Sequence, residues 1–105
     1  MSAPADVRGA PEGAGLDVRA LICAYDWPCD EALRVVYGPT PACPHGESGG
    51  DPSAISPDGR NVGLFEINLV HGYTVAQLLD PPTNIRVAYA IWREQGWSPW
   101  SCKPW

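Results

Sequence analysis

A carboxylic acid, a glycine-rich turn and a short apolar run lie close together near the middle of this chain. Glu47 opens the turn Glu47-Ser48-Gly49-Gly50, and the run Gly63-Leu64-Phe65-Glu66-Ile67 follows a polar connection. A carboxyl group beside an apolar wall has a raised pKa, because burial disfavours its charged form. It then stays protonated near neutral pH and can act as a general acid. From spacing alone, the alternative is a solvated loop glutamate before a glycine turn.

Four short motifs occur in a fixed order along the chain. They are Glu47-Ser48-Gly49, Ser56-Pro57-Asp58-Gly59, Gly63-Leu64-Phe65-Glu66-Ile67 and Asn84-Ile85. This ordered set resembles the active-site core of the lysozyme-like superfamily, close to soluble lytic transglycosylases and resuscitation-promoting-factor-like muralytic domains, over about residues 20 to 102. The resemblance implies an α-rich (α+β) lysozyme-like single domain with a small hairpin or irregular segment, stapled by disulfides.

The resemblance also implies cleavage of the MurNAc–GlcNAc β-1,4 bond of peptidoglycan, with Glu47 as general acid/base. Such a reaction needs a proton at the leaving oxygen as an oxocarbenium-like state forms. Hen-type lysozymes have an aspartate where this chain has Asn61. Lytic transglycosylases lack that second acid, because the sugar's own 6-hydroxyl attacks the anomeric carbon. We therefore expect a lytic transglycosylase. The alternatives are a hydrolytic lysozyme and a catalytically inactive glycan-binding or structural module.

Glu66 occupies a position where relatives usually have glutamine. The favoured interpretation is a tolerated substitution at a groove-lining position. The alternative is that Glu66 is a second catalytic carboxylate whose titration is coupled to that of Glu47. Ser48 is expected to bond the Glu47 carboxylate or to cap the following turn. The predicted substrate-binding set combines aromatic faces that stack on sugars with polar groups that pair with hydroxyls: Ser48, Asn61, Phe65, Glu66, Asn68 and Tyr89. Trp92 is expected to pack in the core.

Four cysteines in a chain with twelve prolines and eleven glycines predict two disulfides and an oxidising compartment. A zinc site is not expected, because no Cys-x-x-Cys pair occurs and His45 and His71 are expected to be surface loop residues. In resuscitation-factor-like relatives the last cysteine pairs with the one beside the catalytic acid, which implies Cys43–Cys102. The predicted second pair is Cys23–Cys29, a small loop that would hold Trp27 against the body.

Composition limits the class of partner. The formal net charge is −5, which excludes the basic surface that nucleic-acid binding needs. No apolar run is long enough to span a membrane, and residues 1–20 lack the apolar centre of a signal peptide. We expect a monomer that binds peptidoglycan glycan strands, without cofactor or metal. An extracellular or cell-envelope location is expected, either secreted or virion-associated.

The elements that must position these residues can be read from pattern. Residues 1–18 are rich in Ala, Gly and Pro and predict a flexible lead or linker before a single domain at 19–105. A helix is predicted over Glu31–Tyr37 with Asp30 as its N-cap, ended by Gly38-Pro39. A hairpin or irregular segment is predicted around 58–68.

Two helices are predicted in the second half of the chain. Thr74, with Gln77 three residues later, forms a capping-box pattern that begins a short helix through Leu79. Asp80-Pro81-Pro82 is expected to break it. The next helix is predicted over 84–95, capped by Thr83 or Asn84, with Ile85, Ala88, Tyr89 and Trp92 on its apolar face and Gly96 at its end. The groove is expected between the 31–47 region and the 58–68 segment.

Overall fold

The computed structural model describes residues 17–105. Within this range the chain forms helices α1 (Val18–Cys23), α2 (Cys29–Tyr37), α3 (Val75–Leu78) and α4 (Pro81–Gln95). Strands β1 (Asn61–Val62) and β2 (Ile67–Asn68) pair as one antiparallel hairpin, and a 3₁₀ helix spans Leu69–His71. The fold is therefore α-rich with one small hairpin, as predicted. In the part of the chain described here, no helix combines the length and the apolar character that a membrane crossing requires.

The predicted lead, residues 1–18, lies outside the described residues except for its last two positions. Asp17 is the N-cap of α1 and Val18 is its first residue, and the sequence interpretation missed this helix. The Asp17 carboxylate accepts a hydrogen bond from the Ala20 backbone N–H at 3.0 Å, and Val18 is the first helical residue. This side-chain cap satisfies one of the free N–H groups at the helix start.

Helix α2 begins earlier than predicted, and Asp30 is not its cap. The N-cap is Pro28, which makes no side-chain capping bond, and Asp30 and Glu31 occupy the first turn. Carboxylates in a first turn interact favourably with the helix dipole. Asp30 and Glu31 therefore stabilise the start of α2 by their charge rather than by capping. The fully buried face consists of Ala32, Val35 and Val36, whereas Leu33 and Tyr37 are only partly buried.

Helix α4 also begins earlier than predicted, because Asp80 is its cap. The Asp80 carboxylate accepts from the Thr83 N–H at 3.2 Å, and Pro81 is the first helical residue. Proline is tolerated there because the N–H groups of the first turn have no partner within the helix. The prediction that Asp80-Pro81-Pro82 ends the short helix before it is confirmed, since α3 ends at Leu78, whereas the prediction that Thr83 or Asn84 caps α4 was wrong. Gly96 ends α4 with φ +64, as expected.

The predicted capping box of α3 is confirmed. The Thr74 side chain accepts from the Gln77 N–H at 3.1 Å, and the Gln77 side chain accepts from the Thr74 N–H at 2.9 Å. These reciprocal bonds satisfy two donors at the start of a very short helix. Helix α3 packs on α4, so the two helices form one corner behind the hairpin.

The core is rich in aromatic side chains centred on Trp27. The Trp27 indole is 7% exposed, donates to the Ile22 carbonyl at 2.6 Å, and lies 5.4 to 6.0 Å, ring centre to ring centre, from four other aromatic rings. Those rings are Phe65, Tyr89, Trp92 and Trp97. The disulfide Cys23–Cys29 closes the loop that carries Trp27. The loop thereby fixes the residue that joins α1, α4 and the hairpin.

Candidate active site

Glu47 lies where α2 would continue if the intervening loop were absent. Its backbone N–H donates to the Val35 carbonyl at 2.7 Å, and the Gly49 N–H donates to the Val36 carbonyl at 3.0 Å. If the segment 39–46 were skipped, Glu47 would follow Gly38, and its bond to Val35 would be the ordinary α-helical bond to the residue four positions earlier. The loop thus leaves the helix and returns to the same turn. Glu47 is thereby hydrogen-bonded to the last turn of α2.

Two glycines form the neck of this loop. Gly38 and Gly46 both have positive φ, +73 and +70. A Cβ on Gly46 would lie 2.5 Å from the Val36 carbonyl carbon, and one on Gly38 would lie 2.6 Å from the Gly46 nitrogen. Only residues without a side chain permit this approach. The segment can therefore loop out without moving Glu47 away from the end of the helix.

The Glu47 carboxylate is held against the C-terminal segment. Its Oε2 accepts a hydrogen bond from the Cys102 backbone N–H at 2.8 Å. The disulfide Cys43–Cys102, the pairing expected from the resemblance, joins the same residue to the loop that precedes Glu47. Burial raises the pKa of Glu47 above its ordinary value of 4.5, while the N–H groups of Cys102 and Ser101 and the charge of Lys103 lower it in part. The balance favours a protonated carboxyl at mildly acidic pH.

Ser48 links the Glu47 turn to the hairpin. Its hydroxyl donates to the Leu64 carbonyl at 2.7 Å and accepts from the Gly50 N–H at 3.1 Å. These bonds are those of a residue that caps its own turn, one of the two roles expected for it. The next two glycines complete the turn, and a Cβ on Gly50 would lie 2.2 Å from the Tyr37 ring. Ser48 thus fixes the spacing between the Glu47 turn and the loop that carries Glu66.

Asn84 holds the hairpin turn from behind, a role that the sequence interpretation missed. The side chain is fully buried. Its Oδ1 accepts from the Phe65 N–H at 2.9 Å, and its Nδ2 donates to the carbonyls of Val62 (2.8 Å) and Leu78 (2.9 Å). A Cβ on Gly63 would lie 2.2 Å from that Nδ2, so glycine is required there. The motif Asn84-Ile85 therefore serves the turn rather than the helix cap.

A groove of about 290 Å³ lies between the hairpin and the C-terminal segment. Its walls come from the hairpin (Asn61, Glu66, Ile67, Asn68), from His71 and Ile91, and from Pro99, Trp100 and Ser101. We expected the 31–47 region to form the wall opposite the hairpin, but no residue of that region lines this groove. Residues 99–101 form that wall instead, because the Cys43–Cys102 disulfide brings the end of the chain across the domain. Glu47 bonds to Cys102, directly after the last of these wall residues.

Glu66 is a second carboxyl group at this groove. Burial, and then the charges of Glu47 and Asp58, raise the pKa of Glu66 to about 7. Its backbone φ is +49, a conformation that residues other than glycine rarely adopt. The Glu66 N–H donates to the Gly63 carbonyl at 2.9 Å and closes the turn that imposes this conformation. The structure therefore brings together two of the predicted site residues, Glu47 and Glu66, as interacting acids.

Asn61 and Asn68 face each other across the hairpin and both line the groove. The Asn68 Nδ2 donates to the Asn61 Oδ1 at 3.1 Å, and the Asn61 Nδ2 donates to the Ser56 hydroxyl at 3.3 Å. Asp58 lies on the exposed turn before β1, where hydrogen bonds from the Ser56 hydroxyl and the Arg60 N–H lower its pKa. Amide groups, rather than an acid, thus line the groove at the paired positions Asn61 and Asn68.

Two of the predicted substrate-binding residues do not line the groove. Phe65 is fully buried, and its ring lies 6.1 Å from that of Trp100 within the core. Tyr89 packs against Tyr25, with ring centres 4.8 Å apart, in the aromatic cluster around Trp27. The Phe65 prediction was wrong, because an aromatic type indicates burial as readily as sugar stacking. Tyr89 is only partly buried, and its contact with a sugar stays a prediction. Trp92 lies in the same cluster, as expected.

Six groove residues were not predicted as such: Ile67, His71, Ile91, Pro99, Trp100 and Ser101. His71 is partly buried at the end of the 3₁₀ helix, whereas His45 is exposed, as expected. The Trp100 indole is 5% exposed and its Nε1–H donates to the Phe65 carbonyl at 2.8 Å. Trp100 and Ser101 could have been identified from the sequence by their position just before Cys102.

A family model described as "Lysozyme like domain" matches residues 41–102. That range contains Glu47, the hairpin, α4 and both sides of the groove, and it covers more than half of the chain. No curated protein and no solved structure gives a significant match. By this match and by the arrangement of helices, hairpin and disulfides, the chain belongs to the family of lysozyme-like domains.

Proposed function

We propose that this domain cleaves the β-1,4 bond between MurNAc and GlcNAc in peptidoglycan, with Glu47 as general acid/base. Membership of the lysozyme-like family supports a glycan-related role. The observation that carries the specific proposal is the position of Glu47: a half-buried carboxyl with a raised pKa, fixed by the Cys102 N–H beside the groove. A proton donor of this kind is what departure of a sugar oxygen requires.

The groove favours a mechanism that uses a single catalytic acid. Asn61 offers an amide on the hairpin side of the groove, and its side chain is already bonded to Asn68 and Ser56. Glu47 would protonate the leaving oxygen and then, as a carboxylate, accept the proton of the attacking hydroxyl. Because the position of Asn61 offers an amide and no acid to hold a water, the sugar's own 6-hydroxyl is the expected nucleophile. The product is then a 1,6-anhydro-muropeptide, the outcome of a lytic transglycosylase.

The substitution Glu47→Gln tests the assignment. We expect loss of cell-wall lysis by at least about a thousandfold, because removing an essential proton donor deletes the step that it supplies. The measurement is the decrease in turbidity of purified cell walls, with circular dichroism to show that the variant is folded. Glu94→Gln, the same change at an exposed position of α4, is the control and should lyse walls at the wild-type rate. A folded Glu47→Gln protein with substantial activity would refute the role of Glu47.

Mass analysis of the digested muropeptides distinguishes the two cleavage chemistries. Anhydro ends and reducing ends differ by the mass of one water. Products with only reducing ends would contradict the transglycosylase mechanism and favour hydrolysis with Glu66 or Asp58 as the second acid. Failure of the wild-type domain to cleave walls at any pH would favour the glycan-binding or structural module instead.

We also propose that the domain acts outside the cytoplasm as a monomer on glycan strands. Two disulfides fit an oxidising compartment, and the formal charge of −5 does not attract the domain to anionic wall polymers. Affinity must then come from contacts within the groove or from other modules. Sedimentation of the purified domain, alone and with soluble glycan fragments, measures its oligomeric state and its binding.

A further inference from the structure

The turn that carries Glu66 is anchored on both sides. The preceding Phe65 is fixed at its N–H by Asn84 and at its carbonyl by the Trp100 indole, at 2.9 and 2.8 Å. The following Ile67 is paired with Val62 in the hairpin. Because the backbone cannot relax, the positive φ of Glu66 persists and the side chain has one direction available. That direction contributes to the wall of the groove.

The environment of the Glu66 carboxyl suits its neutral form. Its Oε2 is shielded from solvent and has no hydrogen-bond partner among residues 17–105. A buried carboxylate oxygen without a partner is unfavourable, whereas a protonated carboxyl has one donor and remaining acceptor capacity. The nearby negative groups are Glu47, beyond α2, and Asp58, before β1. Both oppose ionisation.

Among residues 17–105, the charges that act on the pKa of Glu66 are the negative ones of Glu47 and Asp58. His71 lines the same groove from the 3₁₀ helix, and α4 contributes the apolar Ile91. The C-terminal wall contributes Pro99, Trp100 and Ser101, which carry no charge. The Lys103 ammonium group donates to the Trp100 carbonyl at 2.7 Å, and its charge acts on Glu47. Glu66 therefore stands in the groove with like charges around it.

We infer that Glu66 is a substrate-positioning residue that works as a neutral carboxyl, donating a hydrogen bond to an uncharged oxygen of the sugar in the groove. The ligand class is an N-acetylated glycan, whose carbonyl and hydroxyl oxygens are hydrogen-bond acceptors. Ionisation removes the only proton that Glu66 can donate and places a charge against the sugar. Binding is then strongest at acidic pH and weakens as Glu66 ionises. This inference rests on the proposed function, because it assigns the substrate to the same groove.

The matched substitution is Glu66→Gln, since an amide has the same shape and keeps an N–H donor at every pH. Wall lysis should stay within about threefold of the wild type at pH 5, because both side chains donate there. At pH 8 the wild type should lose about tenfold more activity than Glu66→Gln, because Glu66 titrates near pH 7. Glu94→Gln, on the exposed face of α4, should follow the wild-type profile. Folding of each variant is checked by thermal unfolding.

Two results would overturn the inference. A folded Glu66→Gln protein without activity at any pH would show that Glu66 is needed as a carboxylate. Parallel pH profiles for the variant and the wild type would show that Glu66 does not position the substrate. If Glu66→Gln does not fold, the carboxyl carbon of Glu66 can be titrated by NMR in the wild type. Its pKa should rise when chitohexaose is added, and an unchanged pKa would contradict the inference.

Binding of chitohexaose separates this inference from the proposed reaction. In a Glu47→Gln background, cleavage by the proposed acid is absent, and affinity alone is measured. The affinity for chitohexaose should fall about tenfold between pH 5.5 and pH 8.5. Burial is the main cause of the raised pKa of Glu66, so this pKa stays raised when the Glu47 charge is removed. Glu66→Gln in the same background should abolish the fall in affinity. A pH-independent affinity in Glu47→Gln refutes the inference even if walls are cleaved. The predicted fall supports it even if the wild type cleaves no wall.

Discussion

A single buried amide decides where the groove carboxyl of Glu66 lies. The Asn84 side chain bonds to one N–H and two carbonyl groups that would otherwise be unpaired in the core. Two of them belong to the hairpin region and one to α3, so Asn84 also joins elements from different parts of the chain. Buried polar groups of this kind specify one arrangement, because each alternative leaves a partner without a hydrogen bond.

We expect Asn84→Ala to lower the free energy of unfolding by roughly 3 kcal/mol, because Phe65, Val62 and Leu78 each keep a backbone group without a partner. For a domain of this size that corresponds to a fall in Tm of roughly 15 °C. Differential scanning calorimetry measures both quantities. Asn61→Ala, which removes partly exposed bonds, should cost less than about 1 kcal/mol. A Tm for Asn84→Ala within a few degrees of the wild type would show that the turn does not depend on this amide.

At the scale of elements, α2 and its loop explain how a segment can interrupt a helix without displacing the acid. The N–H groups of Glu47 and Gly49 bond to the last carbonyls of α2, which need partners outside the helix. Gly38 and Gly46 close the neck, and Cys43 uses the loop to reach Cys102. The loop therefore adds a covalent tie to the C-terminal wall and leaves the position of Glu47 unchanged.

Deleting residues 39–46 together with Cys102→Ser tests this account. We expect the deletion to fold with Glu47 on the last turn of α2, and to be less stable by roughly 4 kcal/mol, the chain-entropy contribution of the lost disulfide. The control is Cys43→Ser with Cys102→Ser, which keeps the loop and should be destabilised equally. Urea unfolding gives both free energies, and wall lysis reports on Glu47. Destabilisation of the deletion far beyond that of the control would mean that the loop itself supports the helix end.

The sequence predicted the elements whose signals are local. The capping box of Thr74 and Gln77 and the glycine end of α4 depend on residues within one turn, and both are confirmed. The start of α4 was misread because Asp80-Pro81-Pro82 both ends α3 and begins α4. The packing of α3 on α4 allows one segment to do both, and no short pattern contains that packing.

The groove was predicted less well than the acid, for a physical reason. Glu47 has an ordered motif around it, whereas the far wall consists of residues 99–101, placed by a disulfide that joins distant parts of the chain. Phe65 was assigned to sugar binding by residue type. Burial in the aromatic cluster is decided by tertiary contacts, which assign its ring to the core instead.

At the scale of the whole molecule, the two groove acids couple stability to pH. Burial raises the pKa of both Glu47 and Glu66, and the folded state therefore holds protons that the unfolded chain has released. The contribution of Glu66 is fully present below about pH 4.5 and is lost as pH rises through about 7, and the contribution of Glu47 has the same sign. In that window stability falls as pH rises. The lowered pKa of Asp51 and Asp58 has the opposite sign and acts only at lower pH.

We therefore expect the Tm to be higher at pH 5 than at pH 8. The contribution of Glu66 is on the order of 1 kcal/mol once screening by solvent is allowed for, or roughly 5 °C in Tm. Glu66→Gln should reduce the difference between the two pH values, whereas Glu94→Gln should leave it unchanged. Calorimetry at pH 5 and pH 8 provides the comparison. An equal difference in Glu66→Gln and the wild type would show that Glu66 does not titrate in this window.

The aromatic cluster has an optical consequence. Trp100 lines the groove, and its ring lies 5.3 Å from that of Trp97, which lies 5.5 Å from that of Trp27. Indole emission responds to the polarity around the ring, and excitation passes readily between indoles at such separations. A sugar that enters the groove changes the surroundings of Trp100 and so changes the light emitted by its neighbours as well. The domain thus contains a fluorescent reporter of its own occupancy, and unlabelled protein can be titrated with glycan by its intrinsic emission.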